Sequence, residues 1–576
     1  MTRDGNLTRS LLIEGATLVN VFSDETYPVD VLCRGEHIAS VAPAGTLASG
    51  LSPSPAQRLD GRGSFLLPGL INGHLHVESS MITPQEYARA VLPHGTTTLV
   101  PDPHEIANVL GMDGLEAMMA SGAGAGADFF WTAPSCVPAS PLDTAGARIG
   151  ADEISRLLAD PRVVALGELM NYPGVLAGDP EVWAKLSAAK AAGKPVDGHA
   201  PGLTGADLDA YVAAGASSEH EAVTLDEARE KLRRGMWVMA RQGSVCHNLA
   251  ALLPLAKEMR GERMMLVTDD VHPHDLLGRG ELDNLLRMAV AEGLPPVAAV
   301  RMATLNPATY FRLWDRGIVA PGRLADLWLV RDLVDFESVA VIRRGRTAWQ
   351  AGDGALAPAT QLGDQWPDAM RATVHLPRDL AASLRWPHRR GTARVIGIDP
   401  GQVVTRALAW EVEVQEDGAA HAHEGEVVKV AVVERHGRSG AVGLGLAHGL
   451  GIRRGAVGSS VAHDSHNLVL AGTSDADLLL AASELARSGG GHIVVAGGRV
   501  LAHLPLPLAG LMSLDEAPAV AAGLEKIDQA AGEIGATPAS AIMALSFVSL
   551  PVIPELKLTD QGLVDVTAFR HVGLWR

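Results

Sequence analysis

Cysteine is scarce. Cys33, Cys136 and Cys246 are the only three in 576 residues, far apart and in no C-x-x-C pair, which excludes a disulfide framework and a thiolate zinc site. They are expected as small buried apolar side chains in a reducing compartment. Positive charge is also in deficit: 48 Lys and Arg stand against 66 Asp and Glu, a net charge of -18. Binding to nucleic acid needs Lys and Arg concentrated on one face, so nucleic acid is not an expected partner. A small uncharged or cationic ligand is easier to accommodate. No uninterrupted run of about 18 apolar residues occurs, and the polar start MTRDGNLTRS has no secretory-type apolar segment. The expectation is a cytoplasmic protein with no membrane partner.

Small and aliphatic residues are abundant. With 47% hydrophobic residues, 62 Gly, 34 Pro and only 4% aromatic, the composition fits a globular α/β protein with many turns. Its length allows three or four domains at about 150 residues each, or fewer if one is a large barrel.

The stretch PGLINGHLHVESSMITP, 68–84, organises the chain. An apolar run, Phe65 to Leu67, precedes it, and His74 and His76 follow two residues apart. At the tip of a strand, alternate side chains share a face, so both imidazoles can reach one cation. From 65 to about 306, apolar runs alternate with Ala/Leu/Glu-rich helical ones: TTTLVPD follows PQEYARAVLPHG, VVALGE follows DEISRLLADP, and MMLVTDD follows NLAALLPLAKEMRG. That is the sequence form of βα repeats. The expected architecture is α/β, with a (β/α)8 TIM-like barrel over 65–316. Hairpin-like strands over 1–64 and 317–360 predict one discontinuous flanking β-sandwich. Residues 361–576 predict a C-terminal α+β domain, including a helix at SDADLLLAASELAR capped by Ser474.

Reacting groups in such barrels follow the strands. Polar residues just past the apolar runs are His74, His76, His104, Glu105, Glu168, His199, His220, Asp269 and Asp270. His74, His76, Glu168, His199, His220 and Asp269 have the ligand types for a pair of divalent cations sharing a carboxylate. The HDSHN segment, 463–467, carries two further histidines and an aspartate and is read as structure or domain contact. LPVIPELKLTDQGL, near the end, carries no chemistry that can be assigned.

HLHVESS, DPHEIANVLG, PSCVPAS, GELMNYPGV, DGHAPGL, SSEHEA and TDDVHPHDLL resemble the signature blocks of the bacterial adenine deaminases, in the amidohydrolase superfamily. AHDSHN, LPLPLAGLMS and LSFVSLPVIPELKLTDQGL resemble that family's C-terminal domain. The resemblance implies two metal ions, Mn2+ or Fe2+ with Zn2+ also compatible, and conversion of adenine and water to hypoxanthine and ammonia by a metal-activated bridging hydroxide. It places His74, His76 and Asp269 on the more buried metal, His199 and His220 on the second, and Glu168 between them. Asp269 and Glu168 are then the catalytic carboxylates, with Asp270, Glu105, His104, Arg241 and Ser244 as substrate contacts. VMARQGSVCHNL differs by several residues from the family's Arg-Glu-Gly-Ser wording. The expected partner is a small purine, and the expected assembly a homodimer.

The rival is another amidohydrolase acting on a modified adenine or a cyclic amide. A non-catalytic scaffold would be expected to have lost ligands, and a C-x-x-C zinc deaminase is excluded by the cysteine spacing.

Overall fold

Period-two alternation builds the flanking sheet. The computed structural model describes residues 10–47, 55–244, 246–352, 366–399, 404–423, 425–536 and 541–576. Ser10–Asn20, Glu25–Arg34 and His37–Pro43 form an antiparallel meander. Gln57–Asp60 and Phe65–Pro68 pair in parallel with the two halves of the first strand. Leu327–Val330 then joins Phe65–Pro68, followed by Ser338–Arg343 and Arg346–Gln350. One eight-stranded sheet thus draws strands from both sides of the middle region. Leu66, Leu327 and Leu329 face a core with Leu11, Ile13 and Val31. Their neighbours Leu67, Trp328 and Val330 point the other way and pack with Leu70, Leu252 and Leu286. Gly95, at φ +87°, lets the backbone run under Trp328, since a Cβ there would lie 2.3 Å from the indole.

The expected start of the βα repeats at Phe65 moves to Leu70, because Phe65–Pro68 is hydrogen-bonded into the flanking sheet. The expected boundary near Gln361 lies outside the described residues.

In the middle region the strands are parallel and follow chain order: Leu70–Leu75, Thr96–Pro101, Asp128–Phe129 with Trp131–Ala133, Val163–Leu169 and Val196–Gly198. Val196 bridges Ala216 just before Ser218–Glu219, which pairs with Trp237–Arg241 and then Met264–Val267. Asp269, just past the last strand, bridges Leu75 of the first and donates its N–H to the His74 carbonyl at 3.1 Å. Every residue of Leu70–Leu75, Thr96–Pro101 and Val163–Leu169 is buried, which is why these strands read as continuous apolar runs. Thr83, Asp179 and Thr224 start the helices Pro84–Val91, Pro180–Ala192 and Leu225–Arg233 by accepting backbone N–H bonds.

The last third carries a nine-stranded sheet with Arg389–Ile398, Val428–Val433, Leu468–Gly472 and Gly491–Ala496 among its strands. Helix Asp475–Ser488 begins as its sequence predicts, with the Ser474 hydroxyl accepting from the Asp477 N–H. No helix among the described residues is long and apolar enough to cross a membrane.

Candidate active site

The ends of the parallel strands converge on Glu168. Its Oε1 lies 2.9 Å from His76 Nε2 and 3.4 Å from His74 Nε2. Its Oε2 lies 2.6 Å from His199 Nδ1 and 3.5 Å from His220 Nε2. One carboxylate therefore divides four imidazoles into two pairs. Asp269 completes the first pair, with Oδ1 3.4 Å from His76 Nε2. It holds φ +60°, a left-handed conformation uncommon outside glycine that is concentrated at functional sites.

Neighbouring groups fix these side chains. His76 donates from Nδ1 to the Asp102 carbonyl at 3.0 Å, which fixes the ring with Nε2 turned to the carboxylates. The Asp102 carboxylate accepts the Glu168 N–H at 2.8 Å. Arg241 grips Glu221 with both Nη atoms, at 2.6 and 2.8 Å, and its Nη1 also reaches Asp269 Oδ2.

The electrostatics separate adjacent acids. Burial pushes the Glu168 carboxyl up, but the His220 charge and the imidazole hydrogen bonds outweigh it, holding Glu168 well below the usual carboxylate range. Burial likewise opposes ionisation of Asp269, and Arg241 and His76 prevail. Asp270 moves the other way, raised by burial and by the Asp269 charge beside it. Burial, helped by the His220 charge, drops His74 to about 3, so its imidazole is neutral at physiological pH.

These residues fit divalent metal. His74, His76 and Asp269 form one group of ligand atoms close enough to share a cation, and His74, Glu168 and His220 another. His74 Nε2 and His220 Nδ1 are buried without a hydrogen-bond partner in the structure, a deficit of about 1–3 kcal/mol for each polar atom. For His74 Nε2, which faces Glu168, a cation would remove the deficit. Oxygen and imidazole donors without thiolate suit Mn, Fe or Zn.

An amidohydrolase family model matches residues 65–348, and a model of the adenine deaminase C-terminal domain matches 402–570. The adenine deaminase of Desulfatibacillum aliphaticivorans is 45% identical over 572 residues, covering 99% of this chain and 98% of that protein. The chain belongs to the adenine deaminase family. Adenine deaminase 2 of Carboxydothermus hydrogenoformans is 44% identical over 99% of this chain and 97% of its own length, and the adenine deaminase of Nitratidesulfovibrio vulgaris 45% over 98% and 96%.

The part of the chain matched by the family's C-terminal domain closes over the strand ends. Glu105 Oε1 accepts from His463 Nδ1 at 2.6 Å, and Oε2 is bonded to His466 Nε2. The HDSHN segment is thus a domain contact, and it reaches the site itself. A cavity is lined by His104, Glu105, Arg241 and Asp270 from the strand ends, and by His463, Asp464, Phe547 and Ile553 from the C-terminal part. Asp270 Oδ1 also receives the Ser79 hydroxyl. Ser244 does not line this cavity; its hydroxyl accepts from the His272 N–H at 2.8 Å and braces that loop.

Sequence reasoning missed Asp102 and Glu221, read Asp464 in HDSHN as structure or domain contact, and gave Phe547 no role. Asp102 directly follows an apolar strand and Glu221 directly follows a ligand-type histidine, so position alone could have flagged both. No local signal marks Phe547.

Proposed function

We infer that this chain hydrolyses adenine to hypoxanthine and ammonia. The observation that carries the reading is the division of the Glu168 oxygens between two imidazole pairs, in a chain that belongs to the adenine deaminase family. We read the parallel strands as a closed (β/α)8 barrel, the strands before and after them as one discontinuous domain, and 361–576 as an α+β domain.

His74, His76 and Asp269 would hold one divalent ion and His199 and His220 a second, with Glu168 between them; manganese or iron fits best. Bound there, the pair would acidify a shared water enough to supply hydroxide near pH 7. The chain's own residues do the rest. Asp269, with Oδ2 held by Arg241, presents Oδ1 to the attacking water, takes its proton and returns it to the purine. General acid–base help of this kind contributes about 10²- to 10⁴-fold. The water oxygen bonds to the carbon bearing the amino group as the first proton goes to the ring nitrogen; Asp269 then moves the remaining hydroxyl proton to the amino nitrogen, the carbon–nitrogen bond breaks, and ammonia leaves. Asp270 and His104, both lining the cavity, orient the base by accepting or donating at its ring edge. Burial among these groups keeps bulk water from the reacting carbon.

The test is hypoxanthine and ammonia release from adenine by metal-stripped protein reloaded with manganese or ferrous iron. Release of ammonia only from other heterocycles would move the assignment to another amidohydrolase.

A further inference from the structure

The cavity has a divided lining. Among the described residues, strand ends of the middle region contribute imidazoles, carboxylates and Arg241, with Met170 and Cys246 as their apolar side chains there. The remaining apolar lining, Phe547, Leu550, Val552 and Ile553, comes from the C-terminal part. A flat heteroaromatic base has the matching division, with an apolar face and a polar edge.

The C-terminal groups are held in place. The Phe547 ring is stacked against the His463 imidazole, 11° between planes and 5.7 Å between centroids, which fixes the tilt of the ring where it lines the cavity. The His463 N–H donates to the Ser546 hydroxyl at 3.3 Å, its Nδ1 donates to Glu105, and Lys557 Nζ donates to the Phe547 carbonyl at 2.8 Å. Asp464, next to His463 in the chain, lines the same cavity and is 5% exposed, with Oδ2 buried and lacking a hydrogen-bond partner in the structure. His104, Glu105 and Asp464 lie close enough to share a cation. Both oxygens of Glu105 are already taken by His463 and His466, which favours an N–H donor on a ligand as the missing partner of Asp464.

We propose that the C-terminal domain forms the base-binding half of the active site, with Phe547 stacking on the purine face and Asp464 accepting from a ring N–H. This rests on the adenine reading above and goes beyond it: the C-terminal part, rather than the metal-bearing strands, selects a fused planar base. Phe547 is a specificity-determining residue and leaves bond breaking to the strand-end carboxylates.

The experiment is steady-state adenine kinetics with manganese-loaded full-length protein, with bound manganese counted for each variant. Phe547→Ala should raise KM about ten- to hundredfold, the usual effect of losing a base–aromatic stack, with kcat and manganese content unchanged. Phe547→Tyr should restore KM. Phe547→Leu, which keeps apolar volume in case the alanine variant does not fold, should also raise KM. Asp464→Ala should lower kcat/KM about tenfold or more with manganese retained. Unchanged KM in folded Phe547→Ala or Phe547→Leu overturns the proposal, as does an Asp464→Ala protein that loses manganese and keeps its KM. Hypoxanthine formation by the wild type with unchanged variant KM overturns this inference alone, whereas no hypoxanthine from the wild type overturns the adenine reading with it.

Discussion

The Glu168 backbone N–H donates to Asp102 Oδ2 at 2.8 Å, and the residue before it in the strand, Gly167, has no side chain to obstruct that bond. A Cβ at 167 would lie 2.2 Å from the same Asp102 oxygen. The glycine in GELMN is therefore part of the device that aims Glu168 at the four imidazoles.

Gly167→Ala should push Asp102 away and tilt Glu168. Groups that orient metal-binding side chains typically contribute 10- to 100-fold, so a loss of about that size is expected in activity or metal affinity. Metal titration together with kcat would check it, and wild-type values for both would refute the arrangement.

Glu168→Gln removes the charge that the two imidazole pairs share. Turnover should nearly vanish, and bound metal should fall. Asp269→Asn should keep most of its metal and lose about 10²- to 10⁴-fold in kcat. Ordinary activity in metal-replete Glu168→Gln protein would contradict the bridging role.

Glu221→Gln leaves Arg241 with Asp269 as its one remaining anionic partner among those it now contacts. Arg241 should then draw closer to Asp269 and make that carboxylate a weaker base. The expected result is a lower kcat with the basic limb of the pH–rate profile kept and the acidic limb shifted down. A pH–rate series on both proteins decides it.

Asp143 links pH to stability. Burial raises its carboxyl from 3.8 to about 7, against the Ser465 hydroxyl that donates to Oδ2, and Oδ1 is buried without a partner. A raised folded pKa means stability fully present below about 4 and lost as pH rises through about 7. Asp143→Asn does not ionise, so it should unfold at a higher temperature than wild type at pH 8, with the gap closing towards pH 5. Thermal melts at the two pH values would show it, and an equal gap at both would exclude this residue as the cause.

Stripping metal with a chelator should lower the unfolding midpoint, and manganese should restore it. A ligand that binds only the folded state stabilises it in proportion to the logarithm of its concentration over Kd. A midpoint unmoved by chelation would mean that the clustered groups hold no ion.

The parallel strands were legible because burial on both faces turns them into continuous apolar runs, and the polar residues that end those runs, such as His74, Glu168 and Asp269, stand out against them. Phe65–Pro68 was misplaced for the same reason. It is as apolar as its neighbour Leu70–Leu75, and only hydrogen bonding to Ser10–Asn20 and Leu327–Val330 assigns it to the flanking sheet. The family resemblance put Ser244 among the substrate contacts, but its hydroxyl turns to the His272 loop.

The kinds of ligand, their order and the glutamate among the histidines belong to the chain alone, since each is set by a short stretch with its own periodicity. Which side chains face them is a tertiary matter. Glu105 meets His463 and His466, more than 350 positions away in the chain, and Phe547 reaches the cavity from a helix whose local pattern says only that it is apolar. Hydrophobic burial is non-directional: it puts an apolar helix against some surface, and the packing of the whole molecule decides that the surface is the one above Glu168.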